Sequence, residues 1–128
     1  AGGTLVVSPD TRGAVIRATK NAGMASYPGV MTATECFKAL RNGADGLKFF
    51  PASLIGPNGL SALRAVLPPG TKTYAVGGAG ATSFQAWFEA GVTGFGVGSE
   101  LYRAGSSPLF VSESARKLVA SYDRCLRG

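Results

Sequence analysis

Gly46-Leu47-Lys48-Phe49-Phe50-Pro51 and, further on, Thr73-Tyr74-Ala75-Val76-Gly77-Gly78 bracket a helical pattern from Gly59 to Leu67. Both flanking runs are short, mostly apolar without alternation, and closed by proline or glycine. Such runs are strands buried on both faces, the habit of a parallel sheet. Between them Leu60, Leu63, Val66 and Leu67 share one side of a helix, and Pro68-Pro69-Gly70 stops it. The segment therefore reads as strand, helix, parallel strand, joined by a right-handed crossover.

The same unit recurs outward in both directions. Thr4 to Ser8 is a strand, ended by Pro9-Asp10-Thr11, which offers a helix cap. Arg12 to Asn21 is a helix with Val15, Ile16 and Thr19 on one face, closed by Ala22-Gly23. Met24 to Tyr27 is a strand followed by Pro28-Gly29. Thr32 and Glu35 have capping-box spacing, and their helix runs to about Asn42 before Gly43. Towards the C-terminus, Thr82 to Ala90 is a helix, Gly94 to Val97 a strand followed by Gly98-Ser99, and the last helix lies within Leu109 to Leu126. Two α/β architectures accept five such units over residues 1–128, taken as one domain. One is a five-stranded doubly wound sheet. The other is part of a (β/α)8 TIM barrel, which needs eight units and about 250 residues. Periodicity alone favours the open sheet, because five units complete it.

Composition narrows the chemistry. Of 128 residues, 45% are hydrophobic and 16% charged, which suits one globular domain. No apolar run approaches the roughly 18 residues of a membrane span. No basic segment followed by a long apolar run opens the chain, so no signal peptide is expected, and the cytoplasm is the expected location. There is no histidine, and the two cysteines, Cys36 and Cys125, stand far apart. A zinc site is therefore not expected, and every Ser-His or Cys-His nucleophile is excluded. Acid–base work falls to lysine, tyrosine or the seven carboxylates. The net charge of +6 draws in anions. No aromatic-basic module of a nucleic-acid binder is present.

Lys48 carries the sharpest signal. An ammonium in an apolar strand must lose basicity or find a partner, and a neutral buried amine beside a cleft is a Schiff-base nucleophile. The plainer alternative is a strand-end lysine reaching solvent. Pro51 places Lys48 near the C-terminal end of its strand, where α/β folds carry their sites. Next come two glycine turns, Val76-Gly77-Gly78 and Gly96-Val97-Gly98-Ser99. Exposed amides at such turns bind phosphate, although glycines also serve simply to make tight turns. The spacing is neither a Walker loop nor a dinucleotide fingerprint. Glu35 reads as a capping residue rather than a general base. Glu100 and Arg103 fall on a loop or first turn. Arg116, Lys117, Arg124 and Arg127 make the last helix basic, as a solvated face.

Together, Gly29-Val30-Met31-Thr32-Ala33-Thr34-Glu35 after Pro28, Leu47-Lys48-Phe49-Phe50-Pro51-Ala52, Ala75-Val76-Gly77-Gly78 and Gly98-Ser99 resemble the 2-keto-3-deoxy-6-phosphogluconate and -galactonate aldolases. The order holds over essentially the whole chain. The resemblance implies the later five units of a (β/α)8 barrel, overriding the open sheet. It implies a class I aldolase, typically a homotrimer, with no metal or organic cofactor. Lys48 becomes the imine-forming lysine for pyruvate and Phe50 a pocket wall. Gly77, Gly78, Gly98 and Ser99 become the phosphate-binding residues, and Pro28, Gly29 and Thr32 a loop at the pocket mouth. Val76 matches the galactonate type, where the gluconate type usually carries threonine. The implied reaction is reversible cleavage of 2-dehydro-3-deoxy-6-phosphogalactonate to pyruvate and glyceraldehyde 3-phosphate. The family's first three strands have no counterpart here, and with them go a glutamate acid/base and a carboxylate-binding arginine.

Overall fold

The computed structural model describes residues 2–127. Strands and helices alternate. They run β1 (Leu5–Val7), α1 (Gly13–Asn21), β2 (Ala25–Tyr27), β3 (Gly29–Val30), α2 (Ala33–Arg41), β4 (Leu47–Phe49), α3 (Ala52–Arg64), β5 (Thr73–Val76), α4 (Phe84–Glu89), β6 (Gly94–Gly96) and α5 (Pro108–Arg127). All pairings are parallel. β1 pairs with β2, and the remaining four follow in the order β3-β4-β5-β6.

That order decides between the two architectures. A doubly wound sheet reverses its strand order at a switch point. Here every pairing joins strands that are consecutive in the chain, and β2 leads through Pro28 straight into β3, which is the arc of a (β/α)8 barrel. The expected strand after Met24 is split in two: β2 pairs with β1, Pro28 intervenes, and β3 pairs with β4. Proline has no amide to donate, so the ladder breaks there on its donor side. Its carbonyl still accepts the Lys48 amide at 3.0 Å.

The two faces of the arc differ. Ser26, Val30, Leu47, Phe49, Thr73 and Ala75 point out under the helices and are buried. Ile16 of α1, Cys36 and Ala39 of α2, Leu60 of α3 and Trp87 of α4 meet them in one core. Each large apolar side chain buried there contributes roughly 1.5–3 kcal/mol. The other face carries Leu5, Val7, Tyr27, Lys48, Tyr74 and Val76. It is partly open, with Leu5 52% and Val7 53% exposed. The apolar strands are thus covered on one side only, not on both.

Local chemistry sets the helix ends. Thr32 caps α2 through the expected box: its Oγ1 accepts the Glu35 amide at 3.3 Å and the Glu35 carboxylate accepts the Thr32 amide at 2.9 Å. At α1 no side chain caps the first turn. Thr11 instead donates its hydroxyl to the Gly29 carbonyl at 2.5 Å, tying the loop after β1 to β3. α3 starts at Ala52, seven residues before the expected Gly59, and breaks at Gly56 (φ 65°) before Pro57. Among the described residues no helix is long and apolar enough to cross a membrane.

Candidate active site

Lys48 sits in the middle of β4 with its side chain on the inner face. Register places it level with Gly29 on one side and Tyr74, then Gly94, on the other. A large side chain in this row is flanked by a glycine, which leaves room for the lysine beside Tyr74. Lys48 is only 7% exposed. Among the described residues its ammonium finds no carboxylate. The contact it makes is with the Phe50 ring, whose centroid lies 4.7 Å from Nζ. Burial lowers its basicity below the ordinary lysine range.

The lysine opens onto a cavity of about 330 Å³, lined also by Leu5, Val7, Tyr27, Tyr74, Val76, Phe95 and Gly96. Tyr27 and Tyr74 meet edge to face, ring centroids 5.3 Å apart. Burial raises the Tyr74 phenol above its usual value, and nearby Tyr27 adds to the effect, so it stays neutral. Neither tyrosine stood out in the sequence, where both read as ordinary strand residues. The register opposite Lys48 was the signal that would have found Tyr74.

A second cleft of about 360 Å³ adjoins the first. Its walls include Phe50, Val76, Gly77, Gly78, Ser83, Gly96, Gly98, Ser99 and Glu100. Val76 and Gly96 line both cavities, so they form the partition between amine and glycine turns. Among the described residues the amides of Gly77, Gly78, Gly98 and Ser99 donate to no other residue. They are free for an anion, which amides at such turns favour. Gly77 and Gly78 have φ of 83° and 88°, the left-handed region that turns these amides outward. The Gly77 carbonyl accepts the Ser53 amide at 2.9 Å, which pins the turn to the start of α3.

The structure thus brings Lys48, Phe50, Val76, Gly77, Gly78, Gly98 and Ser99 to two adjoining cavities. It does not bring Pro28, Gly29 and Thr32 to either lining. Pro28 is fully buried. Gly29 is covered by the main chain of Pro9. Thr32 is committed to its cap. Glu35 lies in that cap, its carboxyl held below the usual range by the Met31 amide. No group of metal-ligating side chains occurs among the described residues.

Comparison with known proteins agrees with this geometry. The family model described as KDPG and KHG aldolase matches residues 1–109. A probable 2-dehydro-3-deoxy-6-phosphogalactonate aldolase of Rhizobium meliloti (strain 1021) is 46% identical over 99% of this chain and 60% of its own length. The 2-dehydro-3-deoxy-6-phosphogalactonate aldolase of Escherichia coli (strain K12) is 44% identical over 92% of this chain and 58% of its own length. A solved structure described as native KDPGal superposes with TM-score 0.95 at 42% identity, covering 98% of this chain and 61% of that one. The chain therefore spans about 60% of the length of the relatives it matches.

Proposed function

The chain belongs to the KDPG and KHG aldolase family, and from that premise we propose that it carries the nucleophile and the phosphate cradle of a class I aldolase. The substrate in this reading is 2-dehydro-3-deoxy-6-phosphogalactonate, cleaved reversibly to pyruvate and glyceraldehyde 3-phosphate. The observation that carries it is the placement of Lys48. Among the described residues, a buried amine of lowered basicity without a carboxylate partner stands one partition away from four unpaired amides.

The chemistry follows from that placement. The neutral Lys48 amine attacks the substrate ketone, and loss of water leaves a protonated imine. That cation draws in the electron pair of the bond between C3 and C4 while a base takes the C4 hydroxyl proton. Glyceraldehyde 3-phosphate departs. The remaining enamine takes a proton at C3, and water hydrolyses the imine to release pyruvate and the free amine. The Phe50 ring face steadies the cationic imine as it does the ammonium. The amides of Gly77, Gly78, Gly98 and Ser99, with the Ser99 hydroxyl, hold the phosphate, and Val76 faces the substrate carbons between the two ends.

No carboxylate lines the lysine cavity. In this reading the proton-transfer glutamate belongs to the part of the relatives that this chain does not span. Cleavage by the chain alone is accordingly weak. Adding the N-terminal part of the Escherichia coli relative should raise pyruvate formation strongly, and no gain contradicts the reading. The same reading takes the assembly to be a homotrimer in the cytoplasm, with light scattering as the check on the oligomer. The free cradle amides also suit a phosphate-ligand module in which Lys48 has no covalent role. Imine trapping separates the two.

A further inference from the structure

The Gly80–Ala81 segment is held from three directions. The Ala81 amide donates to Glu100 Oε1 at 3.2 Å. The Ala81 carbonyl accepts the hydroxyl of Ser121 of α5 at 2.6 Å, and Ser121 is buried. The Gly80 amide donates to Ser83 Oγ at 3.1 Å. The Glu100 carboxylate also packs against Gly80, where a Cβ would overlap Oε2.

These contacts join the two sides of the glycine cleft. Gly80 and Ala81 continue the loop that holds Gly77 and Gly78. Glu100 directly follows Ser99 on the other loop. Each loop supplies amides that have no acceptor among the described residues. The bond from the Ala81 amide to the Glu100 carboxylate crosses between them, on the wall of the cleft.

We infer that Glu100 is a positioning residue of the anion cradle: by accepting the Ala81 amide it fixes the spacing between the Gly77–Gly78 amides and the Gly98–Ser99 amides. The inference rests on the phosphate-cradle reading above. A carboxylate beside a phosphate site is electrostatically unhelpful. Its retention against Gly80 is explained by the acceptor it supplies, not by its charge. An uncharged acceptor of the same length should therefore serve as well.

The test titrates inorganic phosphate into the full chain and follows the backbone amide resonances of Gly77, Gly78, Gly98 and Ser99. In the wild-type chain all four respond with one affinity. Glu100→Ala should weaken phosphate about tenfold, the loss of one positioning hydrogen bond. Glu100→Gln keeps the acceptor and should bind within about threefold of wild type, or more tightly. Gly80→Ala displaces the carboxylate sterically and should reproduce the loss, with no extra loss when combined with Glu100→Ala. If Glu100→Ala does not fold, the Glu100→Gln and Gly80→Ala pair decides. Wild-type or tighter binding by Glu100→Ala, or by Gly80→Ala, overturns the inference and leaves the carboxylate as a mere repulsive neighbour. If the four wild-type amides do not respond to phosphate, the cradle reading falls first and the inference falls with it.

Discussion

Lys48 Nζ stands 4.7 Å from the centroid of the Phe50 ring, two residues further along the chain. The amine has an aromatic face on one side and a largely apolar cavity on the other, and among the described residues no carboxylate pairs with it. Desolvation lowers its basicity, while the ring favours its charged form. Desolvation wins, and the folded chain holds Lys48 closer to the neutral amine than water would.

That balance fixes the pH response. Protonated Lys48 prefers the unfolded chain, so its penalty is present in full below its lowered folded pKa. The penalty fades as pH rises from that value to the ordinary 10.5, and stability rises over the window. Lys48→Met keeps the apolar stem and should stabilise the fold at neutral pH by about 1 kcal/mol. It should also flatten the alkaline rise. Urea unfolding over a pH series checks both, and a destabilised Lys48→Met at neutral pH contradicts the account.

Val76 belongs to both cavities. A hydroxyl there would meet substrate between the imine end and the phosphate end. Val76→Thr should move the ratio of galactonate-type to gluconate-type cleavage by roughly tenfold towards the gluconate substrate. Paired kcat/KM values in the N-terminally complemented protein measure this. An unchanged ratio removes Val76 from substrate discrimination.

Gly78 and Gly98 are expected to respond differently to alanine. At Gly78 φ is 88° and a Cβ would stand 2.6 Å from the Ser53 Cβ. Gly78→Ala should cost about 1–3 kcal/mol and abolish phosphate binding. At Gly98 a Cβ meets nothing within 4 Å. Gly98→Ala should change stability by less than about 1 kcal/mol. Thermal unfolding of the pair gives the comparison, and equal losses contradict it.

Asp45 contributes to the acid limb, as does Glu35. Its carboxylate accepts the Lys20 ammonium at 2.7 Å and the Ser26 amide at 2.8 Å, bridging α1, β2 and the approach to β4. The Lys20 bond, then the Ser26 amide, hold its pKa below the ordinary 3.8. A lowered carboxyl stabilises the fold above 3.8, and that contribution is lost as pH falls through the folded value. Asp45→Asn should flatten the loss. At neutral pH Asp45→Ala should cost about 1–2 kcal/mol, because the Ser26 amide loses its acceptor. Lys20→Met should cost no more than about 0.5 kcal/mol, since both side chains of that pair remain 36% exposed. Acid unfolding midpoints separate the two variants.

The repeating strand–helix unit was legible because each strand is a short apolar run and each of the first four helices ends at glycine or proline. The Thr32–Glu35 box could be read directly from its spacing. Strand order could not: periodicity fixes which residues pair with water or core, not which strand lies beside which. The chain's own apolar pattern therefore favoured the open sheet, and the family motifs were needed to correct it. The Pro28 break was missed because β3 is only Gly29 and Val30. Thr11 has the residue type of a cap, yet it bonds Gly29, a partner no local spacing reveals. Lys48 and the glycine turns were legible as a charge in an apolar run and as paired motifs. Glu100 was not, because its meaning lies in a bond to Ala81 across two loops.

The central claim is that Lys48 forms the imine, and borohydride trapping with pyruvate tests it most directly. Intact mass and peptide mapping on the folded chain should show one reduced pyruvyl adduct, on Lys48, and none on its Lys48→Met variant. No adduct on the folded chain, or adducts spread over Lys20, Lys38, Lys72 and Lys117, would contradict the account.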